Sequence, residues 1–186
     1  MDAITAMLAR TSYRGRYKQT PVPREDLIKL LEVGLCAPSG SNKQTVSLIA
    51  VDDPTLLKQL EQVASPLKSQ PAPAIICILT QEIPAYKARL FNVQDYSAAI
   101  ENILVAAVSM GYESCWYEGT VKDDDEQGRQ MAQILGVPDT YSLISYSPIG
   151  IADEPVKFPK RKAFSDRAWF NGFKKSEGGE SHDEHS

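Results

Sequence analysis

Residues 95–111, DYSAAIENILVAAVSMG, form a long apolar segment in which Ala98, Ala99, Ile100, Ile103, Leu104, Val105, Ala106, Ala107, Val108 and Met110 leave almost no polar face. Asp95 stands where an N-cap accepts orphan backbone N–H groups and Gly111 where a left-handed residue ends a helix, so the spacing predicts one helix. A helix apolar all round must be wrapped by other elements or by a second subunit. Only Glu101 and Asn102 interrupt it, and each needs a polar partner if buried.

Around this helix the pattern alternates between helical and strand periods. Asp2 can cap a short helix that ends at Arg10 and carries Ile4, Met7 and Leu8 on one face. Pro21 and Pro23 precede a second helix, with Pro23 near its first position and Leu27, Leu30, Leu31 and Leu35 inward. It stops at residues 37–44, APSGSNKQ, and Val46–Val51 reads as a strand. Asp53 and Pro54 open a helix bearing Leu56, Leu57, Leu60 and Val63. Residues 74–79, AIICIL, are apolar throughout, as in a central strand covered on both faces.

Residues 81–92 fit either a helical flap over a site or a surface connection with Tyr86 and Phe91 tucked beneath it. Residues 113–119, ESCWYEG, form a strand-like run closing on a glycine that brings bare backbone amides to a surface. After an acidic stretch at 121–127, read as a helix start and solvated face, Met131, Ile134 and Leu135 mark a helix stopped by Gly136 and Pro138. Residues 141–151 largely alternate as a strand in which Pro148 favours an edge or an irregularity. Beyond it, Lys157, Lys160, Arg161 and Lys162 are followed by Trp169, Phe170 and Phe173, an arm suited to packing on a partner subunit.

The length of 186 residues implies one domain, residues 1–173, and an acidic tail, 174–186, expected to be disordered. A formal net charge of −4 gives no general attraction to nucleic acid or anionic membrane, so any phosphate binding is local. The N-terminus has no basic region before a long apolar one, and neither a secretion signal nor a membrane span is expected. Cys36, Cys77 and Cys115 lie at no metal-ligand spacing and point to a reducing cytoplasm. Both histidines, His182 and His185, fall in the tail. Their absence from the body argues against a Ser-His-Asp or Cys-His hydrolase and an imidazole metal site, and leaves an organic cofactor as the source of any chemistry.

Two polar stretches are candidate sites. Residues 10–17, RTSYRGRY, place three guanidiniums and two aliphatic hydroxyls together, a composition that holds a phosphate bidentately or serves as a solvated basic turn. Residues 37–44 expose backbone N–H groups, two serines, an asparagine and a glutamine, a cradle for a polar heterocycle or an ordinary loop. Neither a G-x-G-x-x-G after a strand nor a P-loop is present.

In their order along the chain these segments resemble the nitroreductase family of FMN-dependent oxidoreductases. The carriers are Arg10, Thr11, Ser12 and Arg14; the loop Ala37, Pro38, Ser39, Gly40, Asn42 and Gln44; the central helix; Trp116, Tyr117, Glu118 and Gly119; Gly136 to Pro138; and the basic Lys160, Arg161 and Lys162. Thr45 and Val46 stand where the family often has Pro-Trp, and the chain is short for it. The resemblance implies an α+β fold, a mixed and mainly antiparallel sheet with helices on both faces, assembled as an intertwined homodimer with two FMN sites at the interface. It implies a cytoplasmic enzyme in which a hydride from NADH or NADPH reaches flavin N5 and then a nitroaromatic, quinone or similar small acceptor, in ping-pong order. Arg10, Ser12 and the Lys160–Lys162 cluster would neutralise the phosphate, with Thr11 beside them, and Arg14 would sit near N1 and O2. Pro38, Ser39, Gly40 and Asn42 would line the cofactor, and Glu118 and Gly119 would meet N5 through backbone N–H groups. No side chain is assigned as catalytic, no metal is implied, and the other reading is a flavin-binding sensor or storage protein without turnover.

Overall fold

A computed structural model describes residues 1–122 and 125–173; the acidic tail and the middle of the acidic stretch lie outside them. The elements follow the chain as α1 (Ala3–Ala9), α2 (Arg24–Leu35), β1 (Val46–Val51), α3 (Pro54–Val63), α4 (Ser65–Ser69), β2 (Ala74–Thr80), α5 (Asn92–Ser109), β3 (Glu113–Ser114), α6 (Gly119–Lys122), α7 (Asp125–Ile134) and β4 (Ser142–Gly150). The described strands form one sheet in the order β1-β2-β4-β3, antiparallel at every pairing.

Every side chain of β2 is buried, so the sheet is covered on both faces. On one face Ile75, Cys77 and Leu79 pack with Tyr146 against Leu57 and Leu60 of α3, Leu67 of α4 and Met131 of α7. On the other, Ala74, Ile76 and Ile78 meet Leu27 and Leu30 of α2 and Ile100, Ile103 and Ala107 of α5. The α+β class with helices on both faces is thus found as expected.

Local signals end several elements where they were read. Asp53 accepts from the N–H groups of Thr55 and Leu56, Asp2 from that of Thr5, and Gly111 and Gly136 are left-handed at φ 86° and 65°. Pro148 produces the anticipated irregularity, inside the sheet rather than at its edge. Tyr117 and Tyr146 exchange backbone hydrogen bonds of 3.0 Å, and such exchanges recur every second residue along an antiparallel pair. The next one toward β3 falls on Pro148, which has no N–H, so the ladder between β3 and β4 breaks and β3 is only two residues long. The strand expected over residues 113–119 is therefore a two-residue strand, an interruption and an isolated bridge, and Gly119 is the exposed first residue of α6.

Further expectations are corrected. α5 begins at Asn92, three residues before the assigned cap, and the Asp95 carboxylate is engaged elsewhere. Before Asn92, residues 81–91 hold only a 3₁₀ turn, Tyr86–Ala88, with Tyr86 exposed rather than tucked under. α5 buries one face against the sheet but leaves Val105 and Ala106 lining an apolar groove of about 530 Å³ with Ala6 and Met7 of α1. Leu35, expected inward, stands in solvent; in the single chain the α1 face of Ile4, Met7 and Leu8 is also exposed, as are Phe158, Phe164, Phe170 and Phe173. Glu101 and Asn102 have the partners they need: Arg10, and the Val33 carbonyl at 3.2 Å.

Because Ile76 of β2 is fully buried against the α2–α5 layer, Ile76→Ala should lower stability by about 2–5 kcal/mol in urea denaturation, with an unchanged native circular dichroism spectrum.

Candidate functional site

The basic segment is held in place by sheet-like pairing. Leaving α1, the chain runs along the outer edge of β3, where the Tyr13 N–H donates to the Ser114 carbonyl at 2.9 Å. Farther on it pairs with the chain after β4: Lys18 donates to Ile151, Asp153 to Arg16, and Tyr17 bridges Ala152. Gln70 donates to the Arg14 carbonyl and accepts from the Tyr117 hydroxyl, fixing the backbone at Arg14. The same stitching brings the C-terminal arm back to the start of the chain, with Thr11 Oγ1 donating to the Lys157 carbonyl at 3.2 Å and Arg161 reaching the Arg10 carbonyl.

Between them opens a cavity of about 500 Å³, with Arg10, Thr11, Ser12 and Arg14 on one side and Lys157, Arg161 and Arg167 on the other. Its five cations contrast with the net negative charge of the chain. Arg10 lies 3.2 Å from Glu101 Oε1, yet its buried Nε makes no hydrogen bond: the N–H is not aimed at the carboxylate, and the contact is an ion pair only. Arg16 turns away to pair with Glu154 at 2.8 Å. Of the basic triplet, Arg161 lines the cavity while Lys160 and Lys162 stand exposed and do not.

A second, smaller cavity of about 170 Å³ is lined by Pro38, Ser39, Gln44, Asp95 and Ala99. The loop around it is strained, with Ser41, Asn42 and Gln44 at φ of 51°, 54° and 50°. Its restraints are specific. Ser39 Oγ accepts from the Gln44 N–H at 3.0 Å, Asp95 Oδ1 from the Gly40 N–H at 2.8 Å, and Asp95 Oδ2 from the Thr45 hydroxyl at 2.8 Å. Gly40 is needed for a close approach, since a Cβ there would lie 2.7 Å from Cβ of Phe91. Asn42 is exposed, with a 3.4 Å contact to the Gln44 amide. Asp95, expected as a helix cap, thus ties down a loop, and the missing signal was tertiary.

Glu118 and Gly119 lie where the Tyr117 bridge passes into α6, and Glu118 Oε1 accepts from the Tyr96 hydroxyl at 2.8 Å. The structure therefore gathers Arg10, Thr11, Ser12, Arg14 and Arg161 into one cleft. It places Pro38 and Ser39 at another, with Gly40 and Asn42 in the loop beside it. Asp95 and Glu101, the residues of α5 tied to the two clefts, stand about 9 Å apart along the axis and about 240° around it. Lys157, Arg167, Asp95 and Tyr96 were not named as site residues, and of these only Lys157 carried a signal, the charge run of the arm.

Near the basic cleft lie Cys115 and Tyr117. Burial pushes the Cys115 thiol up, the Arg14 guanidinium opposing it less strongly, and burial pushes the Tyr117 phenol up to about 12. Cys77, wholly buried, is pushed up to about 12 by the same cause. Each of these stays protonated near neutral pH, and none is a nucleophile there.

The sequence model of the Nitroreductase family matches residues 7–72 and 68–151. An Archaeoglobus fulgidus protein, provisionally named NADH dehydrogenase/NAD(P)H nitroreductase, is 29% identical over 159 residues, covering 84% of this chain and 89% of its own. Among solved structures, an FMN-dependent nitroreductase from Clostridium difficile is similar with a TM-score of 0.76 at 29% identity, covering 91% of this chain and 99% of that one. A nitroreductase with bound FMN from Bacteroides fragilis gives a TM-score of 0.72 at 25% identity, over 91% and 98%.

The state of the buried thiols is directly measurable. Iodoacetamide at about pH 8 should leave Cys77 and Cys115 unmodified in the folded protein and label both after unfolding in urea, read by peptide mass spectrometry.

Proposed function

The chain belongs to the nitroreductase family, and from that premise we propose that it is an NAD(P)H-dependent oxidoreductase whose single domain, residues 1–173, holds FMN. The observation that carries the reading is the convergence of Arg10, Ser12, Arg14 and Arg161 on one cleft from opposite ends of the chain. A phosphomonoester carries about −1.5 to −2 charges near neutral pH, and the five cations of the cleft, one of them already facing Glu101, suit it in number. The buried Arg10 Nε without a hydrogen bond suits an acceptor bound there.

When bound, FMN supplies the redox chemistry, accepting a hydride at N5 from NADH or NADPH and passing electrons to a nitroaromatic, quinone or similar acceptor in ping-pong exchange. The residues of this chain bind and orient. Arg10, Thr11, Ser12 and Arg161 grip the phosphate, with Lys160 and Lys162 adding positive potential outside the cleft. Arg14, its backbone held by Gln70, would bring a positive charge to the ring of a bound flavin and so tune its potential. Backbone N–H groups at Glu118 and Gly119 would hold the N5 side of a bound flavin, and Pro38, Ser39, Gly40 and Asn42 would form the wall of the serine loop.

The reading includes a homodimer. In one chain the two clefts lie on different sides of α5, and the apolar α1 face and aromatic arm are uncovered. A second copy covers that surface and lets the serine loop of one protomer complete the basic cleft of the other. No described helix is long and apolar enough to cross a membrane, and three free cysteines suit a reducing cytoplasm.

The purified protein should show oxidised-flavin absorption bands that bleach on anaerobic addition of NADH or NADPH and return on adding a quinone. A colourless protein that takes up no added FMN overturns the proposal, and bands that persist with both nucleotides overturn the enzyme in favour of a binding protein. Arg10→Ala should weaken FMN binding by about tenfold to hundredfold while the secondary structure persists, since a hydrogen bond to a charged group contributes about 1.5–3 kcal/mol.

A further inference from the structure

Two consecutive residues of α5 hold two separate segments of the proposed flavin site. The Asp95 carboxylate, 3% exposed, takes the Gly40 N–H on one oxygen and the Thr45 hydroxyl on the other, each at 2.8 Å. The Tyr96 phenol, 2% exposed, donates to Glu118 at 2.8 Å. The helix behind them is anchored by Ile100, Ile103, Leu104 and Ala107 against the sheet.

The segments they hold cannot shape themselves. The serine loop carries non-glycine residues at positive φ at positions 41, 42 and 44, a conformation that persists only when outside contacts impose it. Both donors to Asp95 are neutral, and the carboxylate lies in the first turn of α5, where the helix dipole favours negative charge. It is therefore suited to organise backbone rather than to offset a cation. Glu118 follows the isolated Tyr117 bridge left beyond the Pro148 interruption, and there the Tyr96 hydroxyl reaches its carboxylate.

We infer that Asp95 and Tyr96 are positioning residues that hold, from one rigid helix end, both flavin-contacting segments of the chain, the serine loop and the turn at Glu118 and Gly119. The inference rests on the flavin reading above for its purpose and on the hydrogen bonds alone for its geometry. Asp95 governs how well the cofactor is held, and Tyr96 governs the electronic surroundings of the flavin without touching the phosphate grip.

The test uses full-length Asp95→Ala, Asp95→Asn, Thr45→Val and Tyr96→Phe. In Asp95→Ala the Gly40 amide should exchange hydrogen about tenfold faster or more, and the Kd for FMN should rise by about tenfold. Asp95→Asn keeps an oxygen for the Gly40 N–H and should restore both values to within a few-fold of wild type. Thr45→Val, which removes one donor and little volume, should move exchange in the same direction by less, and it reads the contact if Asp95→Ala fails to fold. Tyr96→Phe should keep the Kd for FMN but shift the flavin absorption bands and slow bleaching by NAD(P)H at saturating nucleotide. Wild-type exchange at Gly40 in both Asp95→Ala and Thr45→Val, or a wild-type spectrum and bleaching rate in Tyr96→Phe, overturns the inference. A wild-type protein that binds no FMN removes the flavin reading and the role in it, while amide exchange still decides whether Asp95 holds the loop.

Discussion

The fold depends on a strand with no face to spare. β2 is buried at every position, so a helical layer must lie on each side of it, and the chain supplies α3, α4 and α7 to one face and α2 and α5 to the other. α5 is the longest of the described helices and lies deep in its layer, which makes its first turn a fixed reference in the molecule. The loop after α2 and the turn before α6 reach that turn from different parts of the chain and are held there by Asp95 and Tyr96. These two segments thus borrow rigidity from the core, while the basic segment is held by its own sheet-like pairing.

Elements whose ends are set by neighbouring residues were legible in the sequence. Asp53 followed by Pro54, the glycines at 111 and 136, and the unbroken run of β2 each act through adjacent backbone, and each appears where it was read. Features decided at long range were not. Asp95 is the acidic residue at the head of the apolar run and so looked like the cap; the N-cap position falls on Phe91 instead, and the Asp95 carboxylate takes the N–H of Gly40, 55 positions earlier. The short β3 is imposed by a proline on another strand. The outward face of α1 has the periodicity of a core face, and periodicity cannot tell whether the covering atoms belong to the same chain.

The candidate site divides the same way. Arg10, Thr11, Ser12 and Arg14 come from one short segment whose composition suited either an anion site or a solvated basic turn, and the structure puts them on one cleft. Their companions from the arm could be anticipated as a group but not singly. Arg161 enters while Lys160 and Lys162 stay outside, because an extended chain sends successive side chains in different directions. Arg167 is spaced by no motif and becomes visible only when the arm folds back on Thr11.

A cationic cleft on an otherwise acidic molecule also shapes how ligands arrive. Over most of its surface the chain repels anions weakly, and at the cleft that repulsion reverses within a few ångströms, so a phosphorylated molecule that diffuses across the surface meets a sink in the potential. Screening acts over about 8 Å at physiological ionic strength. Capture from bulk solution is thereby sensitive to salt, while a ligand already seated among Arg10, Arg14 and Arg161 is shielded from it. The same side chains set two separate quantities, the rate of encounter and the lifetime of the complex, and ionic strength acts chiefly on the first.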